Sequence, residues 1–318
     1  MKRASAVLLV VLLGAGLCGL GRDLALSVTE VDPGVRGVGL GGAGVAHSDG
    51  VEALYYNASR LAGLGAASLQ SFYASHLGAA DYFALGVAFP SFGVGYLSLS
   101  SGDVAGYDAS GDPTGELRYR STAFIVGFGA SPQTLTFLPR LPFDWAIGVR
   151  GKILSTTLAA ESGSGVAFDL AASLMFGSLS VGPVTLADFT VGVNATNLIG
   201  SIAYDNRSET LITDARLGIS TVIIDQVLFA FDFELSGRIH LGVEYRPVPT
   251  LAVRVGVLQQ RPGFLLSLGL GLDLEGFGLD YAYMSSVALT GSHRVALSVD
   301  FASINLGALT NALRRILP

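Results

Sequence analysis

Between about residues 67 and 301 the chain alternates in character every second position. In DWAIGVRGKI, 144–153, Trp145, Ile147, Val149 and Ile153 share one face, and Asp144, Ala146, Gly148, Arg150 and Lys152 share the other. In VLFAFDFEL, 227–235, Val227, Phe229, Phe231, Phe233 and Leu235 alternate with Leu228, Ala230, Asp232 and Glu234. HLGVEYR, LAVRVGV, LDYAYM and HRVALSVDF behave the same way. A period of two is the signature of strands with chemically distinct faces. Fourteen such runs are predicted: 67–76, 81–90, 92–100, 116–129, 143–154, 165–176, 186–198, 211–221, 226–236, 238–246, 250–259, 264–273, 277–285 and 292–301.

Alternation alone does not separate a soluble sandwich from a barrel whose apolar face is outside. Composition moves the balance. Half of the 318 residues are hydrophobic, only 14% are charged, and the mean hydropathy is +0.55; soluble domains carry about 25% charge. Beyond the N-terminus no run approaches the roughly 20 apolar residues of a spanning helix. Lipid leaves the closed barrel as the other spanning solution. Ten-residue strands rising about 3.3 Å per residue, steeply tilted, match the ~25 Å apolar band of an outer-membrane barrel. The apolar faces carry almost no charge, while the other faces are mostly Gly, Ala and Ser with single charges, which suits a narrow lumen. Phe89, Phe92, Phe128, Phe143, Trp145, Phe176, Tyr245, Phe277 and Phe301 all fall at strand ends on the side of the chain termini, where a girdle of interfacial aromatics is expected. The expected fold is therefore all-β: a 14-stranded antiparallel transmembrane β-barrel over 66–301, both termini periplasmic, embedded in outer-membrane lipid.

The first 21 residues read as a secretory signal: Lys2 and Arg3, then an apolar core over Val7–Leu13, then small residues at Gly19-Leu20-Gly21. The alternative, a first membrane helix, is short for a span. Cleavage after Gly21 removes the only cysteine, Cys18, and leaves 17 basic against 25 acidic residues, a net of −8. That balance excludes nucleic acid as a partner. Past Phe301 the period changes: Leu306, Leu309, Leu313 and Leu317 share a helical face, with Arg314 and Arg315 in the last turn. The 302–318 tail reads as a short periplasmic amphipathic helix, or as a frayed end.

Residues 36–44, RGVGLGGAG, contain Gly37-x-Gly39-x-x-Gly42, a dinucleotide-binding pattern. That chemistry needs a buried strand before it and a helix after it. Pro33 and Gly34 interrupt the one, and AGVAHSDG offers no helix of useful length for the other. No cofactor is expected. The wider stretch GVRGVGLGGAGVAHSDGVEALYYNASRL, 34–61, resembles the G-A-R-A-L-G-M-G-G-A…A-D-D-A…A-x-Y-x-N-P-A-G-L segment of the PorV/PorQ family, relatives of the FadL-type outer-membrane barrels. Gly34, Arg36, Gly39, Gly41, Gly42, Ala43, Asp49, Ala53, Tyr55 and Asn57 match. The family's N-P-A-G-L is Asn57-Ala58-Ser59-Arg60-Leu61 here. The resemblance implies an N-terminal hatch, residues 22–65, folded inside the barrel. Gly37, Gly39, Gly41 and Gly42 would allow its backbone to turn and lie close to the wall. Arg36, Asp49 and Asn57 would be structural or gating residues, with Arg36 pairing Asp232, Glu234 or Glu244.

The inward face carries Arg150, Lys152, Asp169, Arg216, Asp232, Glu234, Glu244, Arg246, Arg254, Asp273, Asp280, Arg294 and Asp300. These nearly balanced charges read either as a polar pathway or as paired filler that anchors the hatch, since buried charges have to be paired. His47-Ser48-Asp49 holds triad residue types, but neighbours in sequence cannot face one another across a site. No metal-ligand spacing appears, and no enzyme activity is expected. The resemblance implies one of two functions: a PorV/PorQ-type barrel acting in transport or in secretion of exported proteins, or a FadL-like channel for hydrophobic small molecules. The short signature and compact loops favour the first.

Overall fold

The computed structural model describes residues 27–304, apart from 103, 108–109, 160, 183, 261–262 and 287–289. The expected signal segment with Cys18 and the expected helical face from Leu306 to Leu317 lie outside the described residues. Fourteen strands form the wall: β1 Ser68–His76, β2 Ala80–Phe89, β3 Phe92–Ser101, β4 Tyr119–Ala130, β5 Asp144–Leu158, β6 Glu161–Met175, β7 Val184–Tyr204, β8 Asp214–Ile223, β9 Val227–Glu234, β10 Ile239–Val248, β11 Leu251–Gln260, β12 Gly263–Leu274, β13 Phe277–Met284 and β14 Ser292–Asp300. Each pairs antiparallel with its sequence neighbours, and β14 pairs back onto β1 from Ser68↔Asp300 to Ser75↔His293. The ring is closed and leaves no edge.

Alternation explains which way each side chain points. Along β12, Leu266, Leu268, Leu270 and Leu272 are 59%, 56%, 51% and 43% exposed on the outside, while Ser267 between them is 1% exposed on the inside. The turns follow backbone chemistry. Glu275 and Gly276 both have positive φ, 53° and 89°, and join Leu274↔Phe277 as the two-residue turn that matches strand twist.

Two regions depart from the expected runs. Glu116 and Leu117, expected at the start of the fourth strand, belong instead to Pro113–Leu117, which pairs with Val104–Tyr107 as a separate two-stranded ribbon. β7 runs to Tyr204, longer than expected, and carries a bulge. Ala195 opposes Leu170 and Ile199 opposes Phe168, so residues 196–198 face Asp169 alone. Asn197 takes the left-handed conformation (φ 53°), which asparagine tolerates better than most residues. Its amide donates to Asp169 Oδ1 at 2.7 Å.

Residues 27–64 lie within the ring. They form a single 3-10 turn at Val28–Glu30, two such turns at Ala58–Gly63, and two short helices, α1 Arg36–Gly39 and α2 Gly50–Tyr56. The sequence predicts no useful helix at this point, and α2 corrects that. Its seven residues begin at Gly50 behind Asp49, and Val51, Leu54 and Tyr55 bury one face against the wall. Among the described residues no strand precedes it. The core is the meeting of this segment with the wall: Val28, Val38, Leu54 and Leu61 pack with Phe72, Tyr82, Leu97, Ile125 and Leu154.

Inward glycines make the fit possible. A Cβ on Gly256 of β11 would sit 2.1 Å from the Gly41 amide, and one on Gly148 of β5 would sit 2.2 Å from the Ser59 amide. The segment thus touches opposite walls through backbone. Gly41 and Gly42 have φ of 72° and 86°, a reversal that residues with a Cβ rarely make.

Candidate functional site

Three groups of buried charge join the N-terminal segment to the wall. In the first, Glu244 of β10 accepts from Arg36 Nε (2.9 Å), Arg246 Nε (2.9 Å) and Arg254 Nε (2.6 Å). Arg36 also reaches Asp49 Oδ2 at 3.0 Å, and Arg254 reaches Asp280. Of the three carboxylates open to Arg36 by alternation, Glu244 is the one it meets. In the second group, Arg216 contacts Glu234, Asp32 and Asp232, and its Nη1 donates to Gly42 O at 3.0 Å. Asp232 accepts the amides of Gly44 (2.8 Å) and Val45 (3.0 Å). His240 places one ring nitrogen 2.8 Å from Glu234 and the other 2.8 Å from Gly41 O. In the third, Asp169 is shared by Arg150 and Lys152, and Arg150 donates onward to the carbonyls of Leu54 and Tyr55. Lys152 also reaches Asn197 Oδ1 at 2.6 Å, so the β7 bulge belongs to this group.

Asn57 caps the Ala58–Gly63 segment. It is fully buried; its amide donates to Val45 O (2.8 Å) and Ser173 Oγ (3.1 Å), and its oxygen accepts the Ser59 amide (3.1 Å). Gly37 lies under the Tyr56 ring, where a Cβ would stand 2.4 Å from the phenol oxygen. A Cβ on Gly39 would stand 3.2 Å from Gly269 Cα. Asp273 and Asp300 stay near the rim where β1 starts and β14 finishes and line a cavity there. His47 bonds Ala43 O at 2.9 Å rather than Ser48 or Asp49.

Glu52 is a residue that motif reading misses. Its carboxylate accepts the amides of Val35 (2.9 Å), Arg36 (3.0 Å) and Gly37 (3.1 Å) and so caps α1 from 15 to 17 positions away. Burial, with Asp280 nearby, pushes its pKa up to about 7. Burial, with Arg36 nearby, pushes His47 down to about 4. A buried acid in a seven-residue helix is the signal that could have singled Glu52 out.

Two cavities flank this layer, and α2 contributes to both. Asp49, Gly50 and Glu52 line one of about 430 Å³ at the end where β1 starts and β14 finishes. Tyr55 and Tyr56 line another of about 820 Å³ toward the opposite end. The larger is lined by apolar Val31, Val45, Tyr55, Tyr56, Leu97 and Ile125 together with charged groups of both signs, among them Asp32, Lys152, Arg216, Glu234 and Arg238.

The architecture is shared with known channels. The toluene transporter TodX of Pseudomonas putida superposes with a TM-score of 0.52 at 11% identity, over 83% of this chain and 96% of that one. The toluene transporter TbuX of Ralstonia pickettii gives 0.51 at 12% identity, over 84% and 98%. The CymD monoaromatic hydrocarbon channel gives 0.51 at 14% identity, over 85% and 96%. No family model and no curated protein matches the sequence. The likeness establishes the fold, a closed 14-stranded antiparallel barrel of the kind found in transport channels.

Proposed function

We propose that the chain is an outer-membrane channel for small hydrophobic molecules, with residues 27–64 as its hatch. The observation that carries this reading is the 820 Å³ cavity between segment and wall. Its size falls within the roughly 300–1,000 Å³ of small-molecule sites, and its lining includes the aromatic and aliphatic Val31, Val45, Tyr55, Tyr56, Leu97 and Ile125. The outward belt of leucine, valine and phenylalanine supports residence in lipid, because so large an apolar surface is unfavourable in water. The likeness to two toluene transporters and a monoaromatic hydrocarbon channel points the same way. The secretion reading draws its support from the 34–61 resemblance, and the filled lumen favours a small solute over a protein.

The test is uptake of radiolabelled toluene by cells with and without the assembled barrel. Faster uptake with the chain supports a channel. Equal uptake despite a correctly assembled barrel would reject it, and an exported protein held stoichiometrically by the barrel would favour secretion.

A further inference from the structure

The connection between β4 and β5 is out of proportion to its neighbours. At the end where β1 starts and β14 finishes, β2–β3, β10–β11 and β12–β13 are joined by two residues each, whereas 131–143 is a long excursion. Its sequence, SPQTLTFLPRLPF, holds three prolines and one charge, Arg140. Ser131 and Thr134 bond each other through both side chain and backbone, and Leu138 N donates to Leu135 O at 3.0 Å. The loop therefore keeps a fixed shape while exposing Phe137 (80%) and Leu141 (48%).

Its direction is fixed as well. Trp145 lies on the outward face of β5, in line with Ile147 and Val149. Its indole N–H donates to Pro139 O at 3.0 Å. Gln133 Nε2 donates to Asp144 Oδ1 at 3.0 Å. The Trp145 bond thus holds the Pro139 part of the loop against the outward face of the wall, while the Gln133 bond ties the start of the loop to Asp144, in the inward series at the rim. Beside it Phe143, Phe176 and Phe189 run on from ring to ring at centroid distances of 5.2 and 5.8 Å, which joins the loop to the outward apolar belt.

We propose that 131–143 is a foot in the membrane interface: Phe137 and Leu141 enter the headgroup and upper acyl region of the adjoining leaflet, with Arg140 at phosphate level. The occupant is lipid because the exposed apolar side chains continue the belt proposed to face lipid. Aromatic and aliphatic side chains with a flanking Arg are the composition that this zone favours. The inference rests on the membrane reading above.

The experiment places a polarity-sensitive nitrobenzoxadiazole dye on the full chain at Phe137→Cys or, separately, Val149→Cys, each with Cys18→Ser. Trp145 is kept so that its bond to the loop survives. The labelled proteins are reconstituted in phosphatidylcholine vesicles containing spin-labelled phosphatidylcholine, the label near the headgroup or deep in the chain. The dye at 137 is expected to emit at shorter wavelength than in water and to be quenched more by the shallow label. The dye at 149 should be quenched more by the deep one. A water-like, unquenched 137 beside a quenched 149 overturns the foot and leaves the barrel's membrane placement intact. An unquenched 149 overturns both.

Discussion

Glu244 holds three guanidinium groups, so its loss and the loss of one partner are unequal events. Glu244→Gln leaves Arg36, Arg246 and Arg254 facing one another and is expected to cost about 3–5 kcal/mol, the range for removing one side of a buried pair. Arg36→Ala leaves Glu244 with two partners. It should cost less stability but release α1, raising small-solute leakage in a vesicle-swelling assay, while the band shift of the folded barrel on unheated gels persists. A leak after Glu244→Gln smaller than after Arg36→Ala would contradict this order. Glu52 and His47 set a second contrast. A carboxyl raised from 4.5 to about 7 binds more protons folded than unfolded, so its contribution to stability declines as pH rises between those values. A histidine lowered from 6.5 to about 4 binds fewer protons when folded, so its contribution grows as pH rises from 4 to 6.5. Each slope is bounded by about 1.4 kcal/mol per pH unit, and together they nearly cancel. Melting of Glu52→Gln should then show stability rising with pH over this window, and His47→Gln stability falling. Parallel profiles in the two variants would show that neither group titrates as described. Alternation showed that Glu244, Asp232 and Glu234 point inward, but not which one Arg36 meets. That depends on where around the ring the segment turns, 208 residues away in sequence.

At the scale of elements, the wall was legible and its irregularities were not. Every expected run became a strand because the period of two is a local property, enforced at each residue by the difference between the two faces. The bulge in β7 brings Asn197 to Asp169 of β6 and Lys152 of β5, partners distant in sequence, and no local pattern records it. The α2 helix is also tertiary in origin, since seven residues beginning with glycine are too few to be helical alone. For β5, Val149→Arg is expected to cost about 2–4 kcal/mol if its face meets the middle of a bilayer. Gly148→Leu, one residue away, should instead displace the Ala58–Gly63 turn; protease protection of 27–64 distinguishes the two. For β14, the last ladder contact is Phe301 N to Ala67 O at 3.1 Å. Deleting 303–318 should leave a barrel that still shifts on unheated gels, while deleting 295–318 should abolish it. Loss of folding in the shorter deletion would place part of the wall beyond Phe301.

On the scale of the whole molecule, the proposed function divides the work between the inner segment, as hatch, and the wall that surrounds it. Removing residues 27–64 should give a barrel with a large, steady single-channel conductance in planar bilayers, since water would then solvate Glu244, Asp169 and Arg216. An unchanged, silent conductance would show that the segment is not what blocks the lumen. The seam between β1 and β14 has a further consequence, in time. It joins Ser68 to Asp300, nearly the full span of the sheet. The entropy of closing that loop is lost before any of its hydrogen bonds form. Hairpins such as β12–β13 can zip within about ten microseconds, yet each remains an open ribbon until the two ends of the chain find one another. The clock of assembly is therefore set by its final contact. The same contact turns the inner segment from a ligand resting on a curved sheet into a captive.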